Sequence, residues 1–483
     1  MQKPVLILCK DTSMSWLIAR LLRWRQVYSL ALPFDTPLDA LLSHAPKGII
    51  LSAPLDEPGA LDSLDPAILD AGIPLLALGG AAVAICVRHG GQAAPAVYST
   101  SPFSLELADH ALFQEMDDAR CVLRSLAALT PDEPLISIAM ADGETIGFAH
   151  EEKQLYGLEY PIERNDPDAA QILTNFAYNI CGCHASWNED TMIDQAIATI
   201  REQIPDQGRV LCAVSGGVDS AVCAKLASMA LGDRLDCLFV DTGLFRLNEP
   251  QNVINEFQET LGISVSYLNA RETFLQALAA ETDSSARERR ASRLMRKMLA
   301  EYLREHPELC AIVMGTNYND RFYSGDDATP LRLDPSLMIL EPIHNLFKDE
   351  VRRLANALGM PASISERQSF PSSGLALRIF GQITEEKLNL LRAADACLMD
   401  EICEAGLDKR LWQYYATLIE SPDRPDQHTI CLRCIQASQN SGLAARLPFD
   451  LLERTTTRLL HELQGISRVV YDLTPSRQYG MLE

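Results

Sequence analysis

The chain has 483 residues, room for two or three domains, and its 47% hydrophobic against 22% charged residues describe a folded globular protein with no apolar run long enough to span a bilayer. Its 42 basic and 65 acidic residues give a formal charge of −23, which argues against non-specific binding to nucleic acid or to a membrane surface. Lys10 and Asp11 interrupt the first apolar stretch, so no signal peptide is expected, and thirteen scattered cysteines fit reduced thiols in the cytoplasm.

Residues 1–190 read as an α/β domain. Apolar runs at 5–9, 48–52 and 73–78 are flanked by turn residues, as buried strands are. Segments 135–140 and 145–150 flank Asp142-Gly143 and read as a hairpin. Residues 191–366 restart the alternation, with strands expected at 210–214, 235–240, 263–268 and 311–314. Val351, Leu354, Ala355 and Leu358 share one helical face. Strands alternating with helices imply a doubly wound parallel sheet. Residues 367–483 open with Phe370-Pro371, carry a polar loop at 421–425 and strand-like runs at 429–437 and 468–473, and read as a small α+β domain.

The strongest chemical signal is Ser215-Gly216-Gly217-Val218-Asp219-Ser220, between the strand at 210–214 and a helix expected to start near Ala221. Two glycines let the backbone turn tightly around an anion, and the following helix start offers free N–H groups. Ser215 and Ser220 add hydroxyl donors, and Asp219 is a candidate magnesium ligand. The loop lacks the Gly-Lys-Ser/Thr ending of a Walker P-loop and matches instead the pyrophosphate-cradling loop of ATP pyrophosphatases.

Further matches run almost end to end: Leu17-Ile18-Ala19-Arg20, 46–52 and 175–187; Val240-Asp241-Thr242-Gly243-Leu244-Phe245-Arg246; Gly315-Thr316-Asn317-Tyr318; Glu341-Pro342; Leu346-Phe347-Lys348-Asp349-Glu350-Val351-Arg352; 444–453 and 469–474. On these the chain resembles the GMP synthase family. The resemblance implies a class I glutamine amidotransferase domain, an ATP-pyrophosphatase domain and a C-terminal dimerisation domain, hence a homodimer. It implies that ATP, with magnesium, adenylates a carbonyl oxygen of xanthosine monophosphate (XMP) and that ammonia displaces AMP. The expected catalytic residues are Ser215, Asp219 and Ser220, and the expected ATP contacts are Ser215 to Ser220 with Val240, Gly315 and Thr316.

The chain departs from the family where glutamine would be hydrolysed. Gly79 stands at the cysteine nucleophile, Pro161 at the histidine base, and only Glu163 of the His-Pro-Glu run remains. Ser52-Ala53-Pro54 replaces the oxyanion-loop glycines. Cys86 is expected inside the following helix and Cys9 inside the first strand, so neither is expected to substitute. Glutaminase activity is therefore expected to be absent.

The nucleotide pocket departs too. Arg287-Glu288-Arg289-Arg290 replaces a Lys-Arg-Lys-Ile-Ile-Gly run, the lid at 326–337 has no lysine, and the tail ends Arg477-Gln478-Tyr479-Gly480-Met481-Leu482-Glu483. Arg287, Arg289, Arg367, Phe370 and Arg477 are the candidate contacts to a phosphorylated or purine-like acceptor, with the exposed face of a charged helix as the alternative for the first two. Ammonia then comes from solution or a partner protein. The alternatives are a sulfur or amine nucleophile on another substrate, and a nucleotide-binding regulator without catalysis. Cys431 and Cys434 lie on a strand-like run, where they face opposite sides, so no zinc site is expected.

Overall fold

Unbroken apolar runs need cover on both faces, and parallel sheets with helices on each side provide it. In the computed structural model, Val5–Cys9, Gly48–Ala53 and Leu75–Gly79 are such strands. They pair in parallel with Ser29–Leu32 at one side and Leu155–Leu158 at the other. The sheet then turns antiparallel through Glu144–His150 and Ile136–Ala141 to Phe103–Leu107. The expected hairpin is present, with Asp142 at φ 48° and Gly143 at φ 84°, the left-handed pair that a two-residue hairpin turn requires.

The structure describes residues 2–475 except 56, 58, 96, 99–102, 117–119, 122–124, 161, 163–165, 319, 321–336, 369, 371–372, 421–426 and 438–441. The sequence-derived sites at Pro161, Glu163 and Arg477 lie outside the described residues, as do the polar loop and nearly all of the lid.

Contacts divide the chain into two units, Met1–Thr191 and Met192–Glu483. The second unit contains an all-parallel sheet in the order Val265–Asn269, Leu235–Asp241, Arg209–Val214, Leu309–Val313, Met338–Leu340. From the central strand Arg209–Val214 the connections go to one side and later return on the other. The carboxyl end of that strand is therefore the switch point, where such sheets bind ligands. A further sheet is built from Ile379–Phe380, Gln413–Glu420, His428–Ala437, Gly442–Ala444 and Ile466–Tyr471. One apolar cluster takes Leu211, Leu238 and Ile312 from the parallel sheet and Leu391, Leu398, Leu418 and Ile430 from the later elements, so the two sheets share a core.

Arg287 lies inside this second unit and corrects the sequence reading. It is only 1% exposed, on the helix Ser284–Glu305, so it is neither a solvated charge nor a free phosphate ligand. Its guanidinium donates to the carbonyls of Glu281 at 2.6 Å, Ala376 at 2.8 Å and Ile379 at 2.5 Å, and also to that of Gly381. Burial lowers its pKa, against the opposing charges of Glu281 and Glu420, and four peptide carbonyls take up its N–H groups. Replacing Arg287 by Met leaves those carbonyls unpaired, at about 1–3 kcal/mol each. The variant should lose several kcal/mol in urea unfolding; an unchanged midpoint would show the cage to be unimportant.

Candidate functional site

The strand Arg209–Val214 ends at Ser215, and the helix Val218–Leu231 starts three residues before the expected Ala221. Gly216 makes the turn at φ 81°, and a Cβ there would meet Val253 Cγ2 at 2.3 Å, so only glycine fits. Gly217 is the N-cap residue and no side chain caps the helix. Ser220 Oγ accepts from Ser215 N at 3.2 Å and donates to the Gly217 carbonyl at 2.9 Å, bracing the loop from within. The N–H groups of Gly216, Gly217, Val218 and Asp219 have no partner among the described residues. A row of free N–H groups at a helix start is an anion cradle.

Other elements close on this loop. Gly315 lies against the first turn of the helix, where a Cβ would come within 3.2 Å of Ser220 N. Val240, 5% exposed, is near the end of the neighbouring strand Leu235–Asp241. Lys348 pairs with Asp219, whose Oδ1 atom has no partner among the described residues. Although Asp320 is exposed as a residue, its carboxyl is raised above the ordinary value by the protein around it, then by the charges of Asp219 and Glu341. No three described His, Cys, Asp or Glu side chains form a metal cluster by themselves. Oxygen ligands beside an anion cradle nevertheless suit magnesium, which binds through one or two carboxylates plus phosphate oxygens.

The first unit has the same kind of turn with the opposite lining. Gly79 sits at φ 59° between the strand Leu75–Gly79 and the helix Gly80–Arg88, as a nucleophile elbow does. A Cβ on Gly79 would lie 2.8 Å from the Ala53 carbonyl oxygen, and one on Gly80 would lie 2.0 Å from that of Pro54. Stabilising an oxyanion needs donors, and here acceptors crowd the elbow. Cys86 is fully buried and its thiol is raised by burial, while burial pushes Cys9 up to about 12.

Comparison with known proteins bears on these observations. The family profile described as NAD synthase matches residues 192–419, and that described as GMP synthase C terminal domain matches 400–478. A protein of Synechococcus named GMP synthase (glutamine-hydrolyzing) is 34% identical, with 100% of this chain and 98% of that protein covered. Proteins of the same name from Carboxydothermus hydrogenoformans and Clostridium tetani are 33% and 32% identical, with 98% and 95% of this chain covered and 98% and 95% of each relative. The chain belongs to the GMP synthase family. GMP synthases and their NAD synthase-like kin are ATP-dependent ligases, and this chain carries their α/β fold.

Within that family frame, the remaining sequence-derived residues fall in different places. Arg289 is exposed on its helix and makes no ion pair with a described residue. Phe370 is engaged inside the protein, with Arg246 and Arg378 over its ring at 5.0 and 4.8 Å. Both arginines pair with Asp395, which is 1% exposed, and burial lowers Arg378 to about 10. Arg367 donates to the Gly216 carbonyl at 2.6 Å and to Glu256 Oε2 at 2.6 Å, so it holds the loop rather than standing free. The sequence reading did not single out Lys348. Its signal was a cation at the first position of the helix Lys348–Ala357, where the helix dipole disfavours positive charge.

Glu159 was also missed. It stands one residue beyond the strand Leu155–Leu158, 2% exposed, with Oε2 unpartnered among the described residues. Burial raises its carboxyl to about 8. A folded-state value above the unfolded one means that the folded form keeps its proton, so stability is full below the ordinary carboxyl value of 4.5 and falls as pH rises to about 8. Glu159→Gln should therefore melt like wild type at acid pH and higher than wild type above pH ~8, by calorimetry of the full chain. Equal melting at both pH values would remove Glu159 as the source. For the elbow, Gly79→Cys should release no glutamate from glutamine above background; a working glutaminase in that variant would contradict the view that the carbonyls of Ala53 and Pro54 exclude an oxyanion.

Proposed function

We propose that the chain is an AMP-forming ligase acting on a purine-nucleotide-like acceptor, using ammonia that its first unit does not make. The observation carrying this reading is the row of N–H groups from Gly216 to Asp219 without a partner among the described residues, while the elbow of the first unit is lined by carbonyls. The cradle suits the β- and γ-phosphates of ATP. A carbonyl oxygen of the acceptor attacks the α-phosphorus, pyrophosphate leaves, and ammonia then displaces AMP from the activated carbon. Asp219 would hold magnesium, which neutralises phosphate charge when bound. Lys348, which pairs with Asp219, would follow the leaving pyrophosphate.

For the acceptor, a cleft of about 900 Å³ in the second unit supports a phosphorylated compound. Arg246, Arg352, Arg367, Gln368 and Asp395 line it, and Arg367 links it to the loop. The changed basic run and lid favour a relative of XMP over XMP itself. Residues 367–483 are proposed as the dimerisation part, supported by exposed Phe380, Leu443 and Phe449. The cysteines give the sulfur alternative no support, since burial raises both Cys431 and Cys434.

The test compares nitrogen sources. With XMP, related purine nucleotides, ATP and magnesium, AMP should form with ammonium and not with glutamine alone, and XMP should be a poor acceptor. Asp219→Ala and Lys348→Ala should each lower the rate by about a hundredfold or more, the scale for losing a charged group in the transition state. Efficient GMP formation from glutamine would overturn both the acceptor and the nitrogen assignment.

A further inference from the structure

The segment Arg367 to Phe370 touches two places at once. Arg367 is four-fifths buried and divides its guanidinium between Gly216 and Glu256, with side-chain exposures of 19% and 20% for the two charged partners. The next side chain, Gln368, accepts from Arg246 Nη2 at 3.0 Å. Phe370 then lies under Arg246 and Arg378, the arginines that share Asp395. The segment thus runs from the Ser215–Ser220 loop to the buried arginine–aspartate cluster.

The contact at Gly216 has a geometric consequence. A trans peptide places its C=O and its N–H on opposite edges of one plane. Arg367 holds the Gly216 carbonyl on its own side, so the N–H of Gly217 faces away from Arg367. Glycine at φ 81° lets this peptide rotate freely in the absence of a restraint. If the plane flipped, a carbonyl oxygen would enter the row of N–H groups and repel a phosphate. That arrangement is what Ala53 presents to Gly79, and Pro54 to Gly80, in the first unit.

We propose that Arg367 is a positioning residue that fixes the Gly216–Gly217 peptide with its N–H toward the bound pyrophosphate group. Glu256 orients the guanidinium, so Arg367 acts through the peptide and not by touching phosphate. The inference rests on the reading of this loop as an ATP site. It makes Arg367 specific for the pyrophosphate part of ATP, leaving contacts to adenosine untouched.

The test measures binding of magnesium pyrophosphate and of AMP to the full chain by calorimetry. Arg367→Ala should weaken pyrophosphate at least tenfold and leave AMP within about twofold, one restrained peptide being comparable to one charge-assisted hydrogen bond. Arg367→Lys keeps a donor for the carbonyl and should recover part of the loss. Glu256→Gln leaves the arginine in place but loosens it, and should give a smaller loss of the same kind, which guards against misfolding of the alanine variant. Equal loss of both ligands, or loss of neither, would overturn the proposal. If the wild-type chain bound no magnesium pyrophosphate, the ATP-site reading itself would fall, and the inference with it.

Discussion

The helix Val218–Leu231 begins without a capping side chain at the end of the central parallel strand, and the second unit is arranged around that fact. Unpaired N–H groups at a helix start are costly unless water or an anion satisfies them. Here the flanking residues preserve the opening instead of filling it. Ser220 braces the loop through Ser215 and Gly217, Arg367 fixes the carbonyl at Gly216, and Gly315 leaves space beside the first turn. Lys348 and Asp219 form an ion pair at the first turn of the helix, so their charges offset each other beside the N–H groups.

The two units contain the same local device with opposite polarity. Each carries a glycine with positive φ between a buried strand and a helix, at Gly79 in one and Gly216 in the other. In the second unit, an arginine holds the nearby carbonyl away from the cradle. In the first, the carbonyls of Ala53 and Pro54 point at the turn and no side chain remains to react. The backbone of an elbow is held by strand and helix packing, and it keeps its shape with a glycine, which has no side chain, at its tip. Glu159 sits close to this turn in sequence register, next to Leu158, which pairs with Leu78. A buried carboxyl kept neutral by desolvation costs the folded state little at acid pH and more as pH rises.

Much of this was legible in the sequence because the signals were local. The apolar runs at Val5–Cys9, Gly48–Ala53 and Leu235–Asp241 formed strands within a residue of expectation, and Asp142-Gly143 formed its turn. Met338–Leu340 escaped notice because three residues are too short to show a pattern. The helix after the loop was placed too late, since the glycines concealed how early helical geometry resumes. Long-range partners were the least readable. Arg287 sits in a charged run that resembles a solvated face, and only the distant carbonyls of Ala376 and Ile379 bury it. Arg367 reads as a substrate ligand until Gly216, 151 positions earlier, is seen in its grasp.

The proposed role of Ser215–Ser220 requires that ATP be cleaved between its α- and β-phosphates. The direct measurement is phosphorus NMR of the full chain turning over magnesium ATP with ammonium and a panel of purine nucleotide acceptors. The account predicts AMP and pyrophosphate in equal amounts, with neither ADP nor orthophosphate as a primary product. ADP with orthophosphate would contradict it, because cleavage would then fall between the β- and γ-phosphates and the cradle would have been misread.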